Sequence, residues 1–318
     1  MFRSINPKVV LGTRGSELAK AQTLLAVEAM RQAKRTLRVE TKIISTSGDE
    51  SEPKPIERDF GRKGMFTAEL EKALLAKEVD IAVHSAKDLP SELAAGTEIA
   101  AVLPRGAVED VLVAMRAGGL KGLPHDAVVA TGSVRRQHQL RWKRPDLDIV
   151  DLRGNVPTRL RKLAKGDWHA IILARAGLER LGLATESSSI QFEGSELFID
   201  LLPLEVFLSA GGQGIIALQI RADDVSTREI VDLANHPFTL LCLQAERAFL
   251  RLLQGDCRSP VGVLATLKTG LMTLRAQVFE QDATFPRTGE VEGNMNERER
   301  LAADLFGKIG GSGSSRTM

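Results

Sequence analysis

Along the chain, short runs of β-branched and other apolar residues alternate with stretches whose apolar positions recur every three or four residues. Residues 8–13 (KVVLGT) predict a buried strand. Residues 16–33 place Leu18, Ala21, Leu25 and Ala29 at helical spacing, with Ser16 as the N-cap. Residues 38–47 predict a second strand. Residues 65–78 predict a helix with Phe66, Leu70, Ala73, Leu74 and Lys77 on one face, and 79–85 (VDIAVHS) a third strand. Strands and helices that alternate in this way build βαβ units around a mostly parallel sheet. The pattern breaks across 103–112, and a second series follows: strand 126–133, helix 134–144, strand 148–155, helix 157–165 and strand 169–177. The polar stretch 183–196 predicts a loop or insertion. Residues 229–253 predict a helical stretch broken near Pro237. Residues 261–280 predict a hairpin turning at 268–270, and 296–309 an amphipathic helix with Leu301, Leu305 and Ile309 on one face. The glycine- and serine-rich end, 307–318, predicts a mobile tail. The fold class expected is α/β: two α/β units followed by a small α+β unit.

Composition narrows the function classes. At 318 residues the chain exceeds one ordinary core, so two or three domains are expected. Charged residues make up 26% and hydrophobic ones 43%, the balance of a soluble globular protein. A net charge of +2 gives no bulk reason to bind nucleic acid, and 4% aromatics with no tyrosine count against a base-stacking platform. Two cysteines make no disulfide framework, and no Cys/His ligand spacing exists for a metal. The start holds no apolar run of signal-peptide length, and no window approaches the roughly 18 apolar residues of a membrane span. The expectation is a reducing, cytoplasmic compartment, with no membrane and no nucleic acid as partner.

In an open α/β sheet, ligands gather beyond the carboxyl ends of the strands. There the chain places Arg14, Gly15 and Ser16; then His84, Ser85, Lys87 and Asp88; then Gly132, Ser133, Arg135 and Arg136; then Arg153, Gly154, Asn155 and Arg159; then Arg175 and Arg180. A cation beside glycine, serine or a helix N-terminus is an anion-binding device. For any one of them a surface ion pair is the plainer account, but Arg135 and Arg136 open a helix whose dipole opposes them. Five such ends together predict a cleft for a polyanion. The basic turn GRKG (61–64) reads equally as a plain turn or an anion-gripping loop, and SAGGQG (209–214) is neither a P-loop nor a GxGxxG. His84, at the end of an apolar strand, reads as structural.

Two residues carry more pointed chemistry. Asp88, a carboxylate among cations in HSAKDLP, fits stabilisation of a developing cation or proton transfer, and fits equally a structural ion pair. Cys257 stands on a polar turn between Asp256 and Arg258, which suits a nucleophile or covalent attachment point, or an incidental exposed thiol. Cys242, in an apolar helix, is expected to be buried and inert.

The segments GTRGSELA, GRKGMF, AVHSAKDLP, ATGSVRRQ, LRGNVPTRL, AGLERLGL, GGQG and GDCRSPVG occur in the order found in the porphobilinogen deaminase (hydroxymethylbilane synthase) family, which the chain resembles from about residue 8 to 305. The resemblance implies two α/β domains like the lobes of periplasmic binding proteins, and a small third domain. It divides the chain into 1–103 with 212–234, then 104–211, then 235–318. It implies a transferase of tetrapyrrole (heme) biosynthesis that joins four porphobilinogen molecules head to tail, releases ammonia each time, and frees the linear tetrapyrrole hydroxymethylbilane with water. The chain would grow on a dipyrromethane cofactor held by a thioether to Cys257. Asp88 matches the catalytic aspartate. Lys87, Ser133, Arg135, Arg136 and Arg159 match cofactor-binding positions, together with Asp88. Arg14, Ser16, Lys63, Phe66, Arg153, Asn155, Arg180 and Gln213 match substrate-binding ones. The family also implies a monomer.

Departures from the family pattern are Ser209 in place of a proline, Asp59 in place of a second loop lysine with Arg58 beside it, the polar residues near 185–195, and Asp256, Arg258 and Ser259 around the cysteine. Two rival readings are a non-catalytic, two-lobed anion-binding protein and a degenerate family member without turnover. The first gives Asp88 and Cys257 no task. The retained Asp88, Cys257 and arginines speak against the second.

Overall fold

The computed structural model describes residues 8–45, 64–253 apart from 167, 184 and 185, and 260–310 apart from 281, 282 and 284. The expectations for Arg58, Asp59, Lys63, Cys257 and the tail beyond 310 lie outside the described residues.

Among the described residues the strands form three sheets. In the first, β1 (Lys8–Thr13), β2 (Arg38–Ile43) and β3 (Ile81–Ser85) run parallel, with α1 (Glu17–Ala33) and α2 (Gly64–Leu75) between them in the chain. β4 (Thr97–Val102) forms one edge, and β11 (Ile216–Arg221), from much later in the chain, lies antiparallel between β3 and β4. In the second sheet β6 (Val128–Ala130), β7 (Asp148–Val150) and β8 (Ala170–Ala174) are parallel, while β5 (Asp110–Ala114), β9 (Ser189–Phe192) and β10 (Ser195–Leu201) extend it antiparallel in the order β7-β6-β8-β5-β10-β9. Helices α3 (Gly119–Gly122), α4 (Val134–Lys143), α5 (Val156–Ala164) and α6 (Arg175–Arg180) belong to this second series. After α7 (Val225–Asp232), a three-stranded meander of β12 (Val261–Lys268), β13 (Leu271–Val278) and β14 (Arg287–Asn294) packs on α8 (Pro237–Leu252) and α9 (Arg298–Gly310).

Local chemistry explains most element ends. Ser16 caps α1, its hydroxyl accepting from Ala19 N at 3.3 Å. Pro237 stands in the first turn of α8, where its missing N–H costs nothing, so the long helical stretch breaks there as expected. Thr269 and Gly270, with φ of 48° and 82°, close the hairpin of β12 and β13. Leu301, Leu305 and Ile309 turn together into the core beneath α9.

Four expectations change. α1 does not bury Leu25; it turns Thr23, Ala26, Val27 and Met30 inward, packs Ala29 partly against the same core, and leaves Leu24 57% and Leu25 40% exposed. This helix is apolar on more than one stripe, and the stripe with alanine and threonine lets it lie closer to the sheet. Lys77 does not continue the buried face of α2. It stands past the helix end at φ 60°, where Lys77 N to Leu74 O and Glu78 N to Ala73 O close a Schellman turn. The stretch 183–196 contains β9 and the start of β10, paired across Glu193 and Gly194 at positive φ, with Ile190 and Leu197 in the core. Finally, the sheets are mixed rather than mostly parallel, because β5, β9 and β11 run against the parallel strands of their sheets.

Two segments cross between the first and second sheets and lie side by side: Leu103 N donates to Ile216 O at 3.0 Å and Gly106 N to Gly214 O at 2.9 Å. Gly214 sits at φ 82°, and a side chain there would meet Gly106 O at 2.6 Å. Glu246 of α8, fully buried, ties the third unit to this crossing. Its carboxylate accepts from Arg105 Nη1 at 2.5 Å, Gly212 N at 2.6 Å and Ala265 N at 2.8 Å.

Glu246→Ala would leave the Arg105 guanidinium without its carboxylate and two backbone N–H groups unpaired. The expected loss is about 3–5 kcal/mol of stability, read as a lower urea midpoint at unchanged slope.

Candidate active site

Two adjoining cavities open at the carboxyl ends of the strands. The first, about 60 Å³, is lined by Arg14 and Ser16 after β1, Gln22 of α1, Thr67 of α2, and His84, Ser85 and Asp88 at the end of β3. The second, about 80 Å³, is lined by Lys87, Arg136, Arg159 and Arg180, with Gly212 and Gly214 of the crossing and no carboxylate among its lining residues. Leu18, Gln22 and Ser85 border both. Gln22 and Ser85 are hydrogen-bonded to each other, Gln22 Nε2 to Ser85 Oγ at 2.8 Å, and form the partition. The short 3-10 turn Ala86–Asp88 after β3 thus sends Lys87 into one cavity and Asp88 into the other.

Behind the second cavity lies a buried cluster. Arg135 and Arg136, in the first turn of α4, are 5% and 6% exposed. Asp110, fully buried at the start of β5, accepts from Arg136 Nη2 at 2.6 Å and stands 2.9 Å from Arg135 Nη1. Gln213 Nε2 donates to the same carboxylate at 2.9 Å and to Val108 O at 2.7 Å, while its Oε1 accepts from Lys87 Nζ at 3.4 Å. Arg135 Nη1 also donates to Gln139 Oε1 and to Leu208 O, both at 2.9 Å. Gln139 in turn donates to Gln277 of β13 at 2.6 Å, which joins this helix to the third unit.

The electrostatics follow from burial. Removal from water lowers the Lys87 ammonium to about 8, with Arg136 next in the same direction, against the raising pull of Asp88 and Asp110. Burial brings Arg180 to about 10, and its Nη2 donates to Gly214 O at 2.6 Å. Burial works to raise Asp110, but Arg135 and Arg136 overcome it and hold the carboxyl far below the usual carboxylate range. His84 is lowered to about 4 by burial, against Gln219 and Asp88, and is neutral at pH 7. Cys242 is buried as expected, its thiol pushed up to about 11 by burial.

Of the residues singled out in the sequence, Arg14, Ser16, Lys87, Asp88, Arg136, Arg159 and Arg180 line the two cavities, and Arg135 and Gln213 lie just behind them. Ser133 is half-buried at the N-cap of α4, where its side chain makes no cap hydrogen bond. Arg153 and Asn155 are not brought into the cavities. Arg153 is exposed and pairs with Asp151 at 3.0 Å, and Asn155 caps α5 by accepting from Thr158 N at 3.0 Å. Arg175 pairs with Glu179 at 2.7 Å, the plain surface account of a strand-end arginine. The backbone of Phe66 lies in the first turn of α2. Gln22, a lone amide on the inner face of α1, and Asp110, an acidic residue opening an otherwise apolar strand, join the site without any motif in the sequence to mark them.

Residues 9–229 match the family model described as porphobilinogen deaminase, dipyromethane cofactor binding domain, and residues 240–309 match porphobilinogen deaminase, C-terminal domain. The chain is similar to the porphobilinogen deaminase of Syntrophomonas wolfei, 42% identical over 93% of this chain and 92% of that one. It is also similar to that of Nitrobacter winogradskyi, 41% identical over 92% and 90%, and to that of Chlorobium luteolum, 39% identical over 89% and 87%. Among solved structures, the periplasmic VFT2 domain of BvgS from Bordetella pertussis matches at 14% identity and a TM-score of 0.41, over 72% of this chain and 87% of that one.

A cavity walled by cations weakens as an anion site when one of them loses its proton. Because Lys87 is lowered to about 8, citrate binding to the ligand-free chain is expected to weaken as pH rises from about 7 to 9, by up to about tenfold per unit. Calorimetric titration across that range checks it, and Lys87→Met is expected to flatten the dependence.

Proposed function

The chain belongs to the porphobilinogen deaminase family, and from that premise we propose that it is a transferase acting at the paired cavities, condensing four porphobilinogen molecules into hydroxymethylbilane. What carries the reading is the juxtaposition of Asp88 with Arg14 in one cavity and, across the Gln22–Ser85 partition, a wall of four cations in the other. Porphobilinogen bears acetate and propionate groups, so its recognition calls for several fixed cations around one reacting centre. Domains 1–103 with 212–234, 104–211 and 235–318, a monomeric state and a cytoplasmic location complete the proposal.

The family's cofactor domain calls for dipyrromethane, and the residues present fit such a group. Arg135 Nε and Arg136 Nε are buried without hydrogen-bond partners among the described residues, and the wall in front of them is cationic. A polycarboxylate supplies acceptors to that cationic wall. Lys87, Arg136 and Arg159 would hold its carboxylates, with Arg135 behind, Ser133 at the helix start and Cys257 as the thioether anchor. When bound, dipyrromethane supplies the pyrrole end to which each new unit is joined.

The chain's own residues do the rest. Arg14 and Ser16, at the mouth of α1, hold a carboxylate of the incoming porphobilinogen, and Arg180 meets another across the partition, its reach fixed by Gly214 O. Lys63, Phe66, Arg153 and Asn155 complete the proposed substrate-binding set, with Gln213 orienting Lys87. Asp88 faces the reacting ring. As the aminomethyl nitrogen of the substrate leaves as ammonia, positive charge develops on the pyrrole nitrogen, and a fixed carboxylate opposite it lowers that barrier. His84, neutral beside Asp88, adds no competing positive charge.

The intact mass of the purified chain is expected to exceed the sequence mass by two pyrrole units. Cys257→Ser should remove the addition and Cys242→Ser should keep it. A wild-type chain at bare sequence mass, inert toward porphobilinogen, would sink the reading. Asp88→Asn is expected to lower turnover by about 10²–10³-fold with an unchanged urea midpoint. A fall in the midpoint instead would make Asp88 a structural ion-pair residue.

A further inference from the structure

A chain folds before it meets its ligand, and that raises a difficulty at Arg135 and Arg136. Two neighbouring guanidiniums, 5% and 6% exposed, lie close to Lys87. Charges out of water cost several kcal/mol each unless paired. An acidic ligand cannot meet that cost in the empty protein. Asp110 does. It stands on the far side of Arg136 from the cavity, behind the wall and not in it. Its two oxygens reach both arginines at 2.6 and 2.9 Å, and Gln213 anchors it at 2.9 Å. Arg136 Nη1 is held separately by Ile172 O at 3.0 Å, so two contacts fix the plane of that guanidinium.

We propose that Asp110 is a built-in carboxylate that positions Arg135 and Arg136 for an acidic ligand, fixing the pair in the ligand-free chain while leaving the cavity in cationic excess. The proposal rests on the functional reading only for the identity of the ligand. One carboxylate serves two guanidiniums, so neither is fully answered. Among the described residues Arg135 Nε and Arg136 Nε have no hydrogen-bond partner, and the cavity wall adds Lys87, Arg159 and Arg180 with no carboxylate among its lining residues. An incoming carboxylate therefore meets donors already aimed and incompletely neutralised, and needs little rearrangement of the protein to bind. Asp110 touches neither substrate nor cofactor; it acts through the arginines.

Asp110→Asn keeps the shape and removes the charge. As purified, this variant is expected to carry the added pyrrole mass in a fraction of molecules at least about tenfold below wild type. Asp110→Glu should recover most of the loading. In the Cys257→Ala background, which lacks the attachment point, Asp110→Asn should lower the melting temperature. Citrate should raise it by less than it raises the Cys257→Ala parent, and Asp110→Glu should restore the parent's response. Loading equal to wild type would overturn the proposal. So would a citrate response as large as that of the Cys257→Ala parent, since that marks Asp110 as an ordinary core ion-pair residue. Should Asp110→Asn not fold, the double variant Asp110→Asn, Arg135→Gln removes one charge of each sign. It is expected to fold and to load poorly, and full loading by it would overturn the proposal. A wild-type chain without added mass would strike the functional reading, while the citrate comparison would still decide the role of Asp110.

Discussion

Buried positive charge is the constraint on which this molecule is organised. The segments past β3 and β6 each push cations inward, and Lys87 and Arg136 meet at the wall of the cavity with Arg135 behind them. Uncompensated, such a group would destabilise the fold by more than a typical domain has to spare. Asp110 answers it from β5, and Gln213 spans the remaining gap between Asp110 and Lys87. The excess that is left over is what makes the cavity wall cationic. Stability and binding draw on the same charges.

That arrangement depends on the path of the chain. Asp110 and Gln213 are more than a hundred residues apart, and they meet because the two crossings run side by side between the sheets. The crossing at 211–214 passes so close to its neighbours that Gly212 and Gly214 admit no side chain: one at Gly212 would press on the backbone of Ala86 and Lys87 at 2.9 Å, the turn that presents Lys87. The third unit is tied into the same place. Glu246 grips Arg105 and Gly212, and Gln277 reaches Gln139 one turn along α4 from the arginine pair. Phe279 adds an aromatic contact with Trp142 of the same helix at 6.2 Å. The third unit is thereby held in register with the arginine pair.

Much of the site was legible because strand ends are legible. A strand ending in cations beside small residues says where a ligand sits whatever the rest of the fold, and Arg14, Lys87, Asp88, Arg136, Arg159 and Arg180 were found that way. The same rule gathered Arg153 and Arg175, which form surface pairs with Asp151 and Glu179, because sequence position does not say which way a side chain turns. Asp110 escaped for the opposite reason: it opens an apolar strand and carries no motif, and its partners are distant in the chain. The hairpin of β9 and β10 was hidden by its serines, which dilute an alternation short enough to look like a loop. On α1, two apolar stripes competed, and only contact with the sheet chose between Leu25 and Met30.

The sequence by itself determined the α/β class, the small α+β unit at the end, the caps and the hairpin turn at Gly270, because periodicity, glycine, proline and capping side chains act within a few residues of where they stand. It also carried the motifs by which the family is known. Tertiary structure alone decided that β11 slips antiparallel into the first sheet, that Lys87 and Asp88 part into different cavities, and that one buried carboxylate stands behind two arginines. Those outcomes are set by contacts between residues from about 25 to more than a hundred positions apart, beyond the reach of any local pattern, where a charge finds its partner only after the chain has folded back on itself.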